Sequence, residues 1–314
     1  MSRPGNEVAD PVQTMQVPAE ASSRKRQDGA VAKASKAKIT ATKADAESSE
    51  SASFSAPMKI RRASGPALSG MVRRTAEVEL HKILAQFKYR AVPVLVALVP
   101  LVMLWLNGNT GSLIRFSPEN LPYTLLSLAA SVILPLVACM LAADLFAGER
   151  ERGELKIPLT RPVSRPALVI GKISAMLIYQ AGLLAILLIL SLAAALLSGA
   201  SLGDLNLLSI LGAYVVTLLP IAAISTVAAL ASTLARSATS GFLLGILLLV
   251  AWNGLGLAFP AISPMLLTEY AALYKSIIGS EVAFGQLAMG AGILIGSATV
   301  LTTAQILLFD RKEI

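Results

Sequence analysis

The chain has 314 residues, of which 55% are hydrophobic and only 15% charged, with a mean hydropathy of +0.68. A soluble domain is typically about 45–50% apolar and about 25% charged, so this composition excludes an ordinary soluble protein. The formal charge of +8 does not point to a nucleic-acid-binding fold, because residues 1–90 hold 16 Lys/Arg against 9 Asp/Glu and the remainder is close to balance.

Residues 1–72 are rich in Ala, Ser, Lys and Glu, with no sustained apolar period, and are expected to form a disordered basic tail. No apolar core follows their basic residues, which argues against a secretory signal. Three readings of the tail stay open: no function, contact of Lys25, Arg26, Lys33, Lys36 and Lys38 with anionic headgroups, or a start codon placed too early, with Met58 or Met71 as the first residue. Residues 73–90 change character. Leu80, Ile83, Leu84 and Phe87 lie at i, i+3, i+4 and i+7, one face of a helix. This spacing predicts an amphipathic interfacial helix lying in the membrane surface ahead of the first span.

A membrane-spanning helix needs about 20 mostly apolar residues. Six segments meet or approach this: 91–106, 121–143, 173–197, 207–234, 241–259 and 285–308. The predicted fold is therefore an all-α integral membrane protein of six spans, with a membrane domain over 73–314. The first span is short and is expected to borrow length from the helix before it. Pro100, Pro135 and Pro220 predict kinks. Gln180, Asn253, Gln286 and Gln305 predict hydrogen bonds between helices or a weakly polar lining. Gly241/Gly245 and Gly292/Gly296 are GxxxG pairs that permit close helix packing, within the chain or between subunits.

Basic residues alternate between connections. The N-terminal side is basic, the first connection has only Arg115, and the second has Arg150, Arg152, Lys156, Arg161, Arg165 and Lys172. The third has none, the fourth has Arg236, the fifth has Lys275, and the C-terminus has Arg311 and Lys312. The positive-inside rule then predicts that both termini are cytoplasmic. No ionisable residue falls at the centre of a span, which argues against a proton relay or ion pump. Asp144 comes nearest, and is expected to anchor at the interface or to pair with Arg150 or Arg152. The single cysteine, Cys139, and the single histidine, His81, exclude an intrachain disulfide and multi-histidine or multi-cysteine metal chemistry. The external segment 260–284 is longer than its counterparts, and Tyr270 and Tyr274, four apart, are expected to anchor a short helix at headgroup level.

The cytoplasmic segment 144–172 is dense in charge and turn residues between two apolar runs. Glu149-Arg150-Glu151-Arg152 alternates in sign and breaks at Gly153. Thr160-Arg161-Pro162-Val163-Ser164-Arg165 reads as a turn, and Pro166 suits the first turn of a helix that continues through Gly171 and Lys172 into the third span. Two short surface-lying helices joined by a turn would present their charges outward as a docking knob. A positive-inside loop without a partner is the alternative.

The order of these residues resembles the cytoplasmic signature of ABC transporter permeases of the type-2 exporter (ABC-2) class: Glu149, Glu151 and Gly153, then Pro162 to Arg165, then Gly171-Lys172. Six spans, an amphipathic leading helix and the tail Phe309 to Glu313 fit the same class, and the resemblance covers residues 73–314. Glu154, where that class usually has threonine, and Lys156 and Pro158, which interrupt a usually apolar run, depart from it. The resemblance implies a permease that pairs with a second copy or a paralogue and docks a separate ATPase subunit. Glu149, Arg150, Glu151, Arg152, Gly153, Arg161, Pro162, Arg165, Gly171 and Lys172 would form the docking element. The chain lacks GxxxxGK[ST], and Gly171-Lys172-Ile173 lacks both the first glycine and the hydroxyl residue. ATP and magnesium would thus be bound by the partner, and this chain would carry no cofactor and no catalytic residue. A membrane-embedded enzyme would need clustered acids or histidines at one depth, which are missing. A non-catalytic scaffold protein or a secondary carrier of neutral solutes are the other readings.

Overall fold

A computed structural model of the chain describes residues 68–108, 117–154, 164–203, 205–259, 269–278 and 284–311. Nearly all of the expected tail, 1–67, lies outside these, as do Arg161, Pro162 and the stretch 260–268. Among the described residues there is no strand, and six helices are long and apolar enough to cross a membrane.

Helix α1 runs over Leu68–Ala85 and α2 over Phe87–Gly108. The chain breaks at Gln86, whose backbone N–H reaches Ile83 O at 3.1 Å. The first span does borrow length: α2 takes in Phe87 to Arg90, and its 22 residues reach about 33 Å, enough for a hydrocarbon core of about 30 Å. The apolar stripe of α1 is turned from its expected position. Ala76, Glu79 and Ile83 are buried, Leu80 is half-buried, and Leu84 and Phe87 are exposed. Glu79 sits on the inward face because its charge is met there.

The second span is a continuous helix, α3, over Pro118–Glu151, with two π-helical turns at Ala129–Ile133 and Ala143–Gly148. The first lies just ahead of Pro135, and Leu134 N–H bonds five residues back to Ala129 O. Proline lacks the N–H an α-turn would use, so the irregularity expected at Pro135 takes the form of a widened turn. Helix α4 covers Arg165–Leu197, with Ser164 as its N-cap and Pro166 in its first turn. It runs unbroken through Gly171 and Lys172, as the sequence predicts. Its 33 residues reach about 50 Å, so it overshoots the hydrocarbon core. Helix α5 is Leu207–Leu234, the predicted span to the residue, and α6 is Ala238–Ala258, opened by a capping box between Ser237 and Ser240. Helix α7 is Phe284–Arg311.

Helices α3, α4 and α5 supply most of the buried core, whereas α2, α6 and α7 turn large apolar side chains such as Leu95, Trp105, Leu243 and Val300 outward. Lipid is as apolar as these side chains, so helices associate by close packing rather than by hydrophobic burial. The first glycine pair does this within the chain. A Cβ at Gly241 would sit 3.0 Å from Ala147 Cβ, and one at Gly245 would sit 3.0 Å from Cys139 Sγ. A Cβ at Gly292 or Gly296 would meet nothing within 4 Å among the described residues.

Between α6 and α7, a 3₁₀ helix at Glu269–Ile277 folds back onto α5 and α7. Tyr274 is buried in the main core and Leu273 in a second cluster with Ala223, Val227 and Leu294. Glycines make the room: a Cβ at Gly290 would meet Leu273 Cδ1 at 2.6 Å and Tyr270 Cδ1 at 3.1 Å, and one at Gly212 would meet Ile277 Cγ2 at 3.4 Å.

Candidate functional site

The segment expected to be an outward knob turns its first residues inward. Glu149 is 2% exposed and Lys172 0% exposed. Lys172 Nζ donates to Glu149 Oε2 at 2.7 Å and to Glu79 Oε1 at 2.9 Å. Lys82 Nζ, on the rim, donates to Glu149 Oε1 at 3.1 Å and to Glu79 Oε1 at 3.3 Å. Two carboxylates and two ammonium groups therefore alternate in a closed square of no net charge. Buried charges are tolerated only when paired in this way. Lys172 also lies 5.9 Å from the centre of the Phe146 ring. Glu79 Oε2 alone of the four carboxylate oxygens finds no hydrogen-bond partner among the described residues. Burial lowers the pKa of Lys82, but Glu149 and Glu79 more than offset this, and the net shift is upward.

Glycine sets the geometry of the square. A Cβ at Gly171 would lie 2.6 Å from Thr75 Cβ and 3.2 Å from Val72 O, so only glycine lets α1 approach α4 this closely. Gly171-Lys172 thus reads physically as an approach followed by a tie.

The neighbours of Glu149 tie the remaining helices. Arg150 Nη1 donates to the backbone carbonyls of Thr233 at 2.9 Å and Ala235 at 3.1 Å, which are orphan carbonyls at the C-terminus of α5. Glu151 Oε2 accepts the backbone N–H of Ala238 at 2.9 Å, at the N-terminus of α6, where a carboxylate complements the helix dipole. Thr233 Oγ1 accepts from Gln305 Nε2 of α7 at 2.9 Å. Five residues earlier, Asp144 accepts from the hydroxyl of Tyr89 and pairs with Lys88, both from the start of α2. Lys88 and Tyr89 thus take the place expected of Arg150 or Arg152 as partners of Asp144, because those arginines point to α5 and to Glu154. Tyr179 Oη of α4 donates to Tyr89 O at 2.7 Å, and the two rings meet edge to face at 5.8 Å.

The eight residues from Asp144 to Glu151 thus form a hub. They bond directly to α1, α2, α4, α5 and the start of α6, and reach α7 through Thr233. The π-turn Ala143–Gly148 lies within this stretch and, as a rare element that recurs at functional positions, sets the directions of its side chains.

After Glu151 the chain turns outward. Gly153 has φ +69°, and its N–H bonds to Arg150 O at 3.1 Å while Glu154 N–H bonds to Glu149 O at 2.9 Å. This is a Schellman stop, which needs a left-handed residue at that position. Arg152 and Glu154 pair at 2.8 Å on the surface, and their hydrogen bond lowers the Glu154 pKa and raises that of Arg152. Arg165 is exposed at the start of α4. Of the ten residues expected in the docking element, then, Arg152, Gly153 and Arg165 face outward, Glu149, Gly171 and Lys172 are buried, Arg150 and Glu151 clamp α5 and α6, and Arg161 and Pro162 lie outside the described residues. Sequence reasoning missed Glu79, Lys82 and Thr233. The available signal for Glu79 was its place four residues before Ile83 and three after Ala76, on one helical stripe.

Residues 11–314 match the family described as ABC-2 family transporter protein. The chain belongs to that family, a class of multi-pass membrane proteins, and the match starts well before residue 73. Among its relatives, it is 34% identical over 84 residues to the probable ABC transporter permease protein NosY of Stutzerimonas stutzeri and, to the same extent, to that of Pseudomonas aeruginosa. These alignments cover 26% of this chain and 30% of each relative, so they span less than a third of the relatives' length.

Proposed function

We propose that this chain is the membrane-spanning permease subunit of an ATP-driven exporter and that a separate ATPase subunit docks on the segment 144–172. The observation that carries this reading is the hub: one short stretch bonds to α1, α2, α4, α5 and α6 and reaches α7 through Thr233, so a force applied there reaches all of them. Packed helices switch between discrete arrangements rather than deforming smoothly, and a rigid junction is what such switching requires. Arg152, Gly153 and Arg165 offer the described part of the docking surface, and Glu149 to Glu151 pass its movement inward. Both termini lie with this segment in the cytoplasm, in line with the alternation of basic connections. A second permease copy or a paralogue packs against this one, with the open Gly292–Gly296 face of α7 as its contact. ATP and magnesium are held by the ATPase.

The test separates docking from folding. Replacing residues 155–163 by a Gly/Ser linker, with Arg152→Glu, leaves the ionic square in place. The variant is expected to insert normally, to retain its thermal transition, and to lose co-purification with its partner ATPase. Undiminished co-purification and ATP-dependent transport by this variant would sink the proposal. Labelling a cysteine placed at Ser164 from the outside of intact cells would refute the orientation.

A further inference from the structure

Two breaks in helical register meet at the hub. One is the π-turn Ala143–Gly148 in α3. The other is the joint at Gln86, where α1 ends and α2 begins. The partners of α3 sort by side. Up to the start of the π-turn, α3 grips the beginning of α2: Asp144 accepts from Tyr89 and pairs with Lys88, and Tyr89 Oη lies 3.2 Å from Met140 O. Beyond it, Glu149 meets Lys82 of α1 and Lys172 of α4, Arg150 holds the end of α5, and Glu151 holds the start of α6. Lys82 and Lys88 stand on opposite sides of Gln86, so each of the two carboxylates holds one side of the joint.

The residue count shows what the π-turn contributes. Asp144 and Glu149 are five apart, which in an α-helix sets them about 140° apart around the axis. Both could not then face one joint. A turn closed five residues back takes in one extra residue. It brings the pair together as a spacing of four, about 40°, does in an α-helix. The extra residue is therefore what lets both grips be made at once. If the turn becomes α-helical with every residue kept, its two flanks rotate against each other by about 100°, and one grip must break. The flank beyond the turn is bonded to four helices and the flank before it to the start of α2, so the Asp144 grip is the one that yields. Tyr179 Oη donates to Tyr89 O at 2.7 Å, three residues from Gln86 and close to the pivot, where a tilt of α2 displaces it little.

We propose that the π-turn is a register switch. With the extra residue held in the π-turn, α2 is latched to α3. With the turn α-helical, Asp144 leaves Lys88 and Tyr89, and α2 tilts about Gln86 while Glu79 and the Gly171 contact keep α1 on α4. The two registers are discrete arrangements, as packed helices require. The switch belongs to this chain alone and does not rest on ATPase docking, so failure of either idea leaves the other standing.

Spin labels on cysteines replacing Arg74 of α1 and Leu101 of α2, both exposed, read the distance between the two helices. The full-length protein, with Cys139→Ala, would be measured in lipid nanodiscs without an ATPase. The parent is expected to show a main distance and a minor one, and Asp144→Asn is expected to raise the minor population several-fold. Deleting Leu145 removes the extra residue and leaves Phe146 beside Lys172 and Ala147 beside Gly241. Both grips then persist on an α-turn, and only the main distance is expected. Leu145→Ala, which keeps the residue count, is expected to match the parent. A distance distribution that Asp144→Asn leaves unchanged would overturn the proposal, and this arm decides alone if the deletion variant does not fold. So would a minor population in the folded deletion variant as large as in the parent, or its loss in Leu145→Ala.

Discussion

The two ends of the bundle are closed by different chemistry. At the hub end, Glu79, Lys82, Glu149 and Lys172 join three helices through charge, and Arg150 and Glu151 hold helix termini. At the cap end, the 3₁₀ helix Glu269–Ile277 is held by buried Leu273 and Tyr274, with Leu273 and Tyr270 settling against Gly290 and Ile277 against Gly212. Charge pairs are directional and have specific partners, so the hub fixes which helix meets which. Apolar contacts are tolerant of small shifts, so the cap can slide or repack at modest cost. The proposed drive from the hub end would call for a stiff junction there and a compliant closure on the other.

The largest effect is expected from Lys172→Met, which strands two buried carboxylates with only the rim ammonium of Lys82. Removing one partner of a buried pair costs about 3–5 kcal/mol. The unfolding midpoint of the full chain in detergent should fall accordingly, and the double variant Lys172→Met with Glu149→Gln, which restores charge balance, should recover much of the loss. Equal damage in the single and double variants would mean that packing, not charge, holds the hub.

Gly171→Ala comes next. The new methyl would meet Thr75 Cβ and a backbone carbonyl, neither of which can swing away, and overpacking of this kind costs about 1–3 kcal/mol. Amide exchange in 68–85 should accelerate more than elsewhere. The matching change at the cap, Gly290→Ala, meets the end of the Leu273 side chain first, which can rotate, so it is expected to cost less than about 1 kcal/mol. If the two substitutions cost the same, the contrast between stiff and compliant ends fails.

A pH titration should distinguish the ends as well. The folded-state pKa of Lys82 is raised, so its contribution is fully present below the unfolded value of about 10.4 and is lost as pH rises through the higher folded value. Alkaline titration monitored by exchange in 68–85 should therefore loosen α1 above that range, and Lys82→Met should remove the dependence. The smallest effect on a single chain is expected for Gly296→Ala, where nothing lies within 4 Å: within about 0.5 kcal/mol for unfolding, with a loss of subunit association in cross-linking if this face meets a second copy.

Much of the bundle was legible because long apolar runs dictate spans. Residues 207–234 needed no correction, Pro166 opens α4, and Gly153 makes the stop that its place after Glu149 to Arg152 suggested. The inward turn of Glu149 and Lys172 was not legible. A charged connection between two spans ordinarily means water, and the partners that reverse this are 67 and 23 residues away along the chain. Glu79 was hidden for a related reason: excluding it as polar from the stripe of α1 shifted the predicted face to Leu80 and Leu84. The open face at Gly292 and Gly296 and the packed one at Gly241 and Gly245 carry the same motif, and only tertiary contacts separate them.

The joint between Arg150 and α5 grips main-chain oxygens, whereas the joint between Glu149 and α4 grips a side chain. Drift at positions 233 or 235 leaves the first grip intact, because every amino acid brings the same carbonyl. Drift at position 172 does not have that freedom. Across time, one hinge pin of this machine can be repainted at will, while the other must be replaced together with its socket.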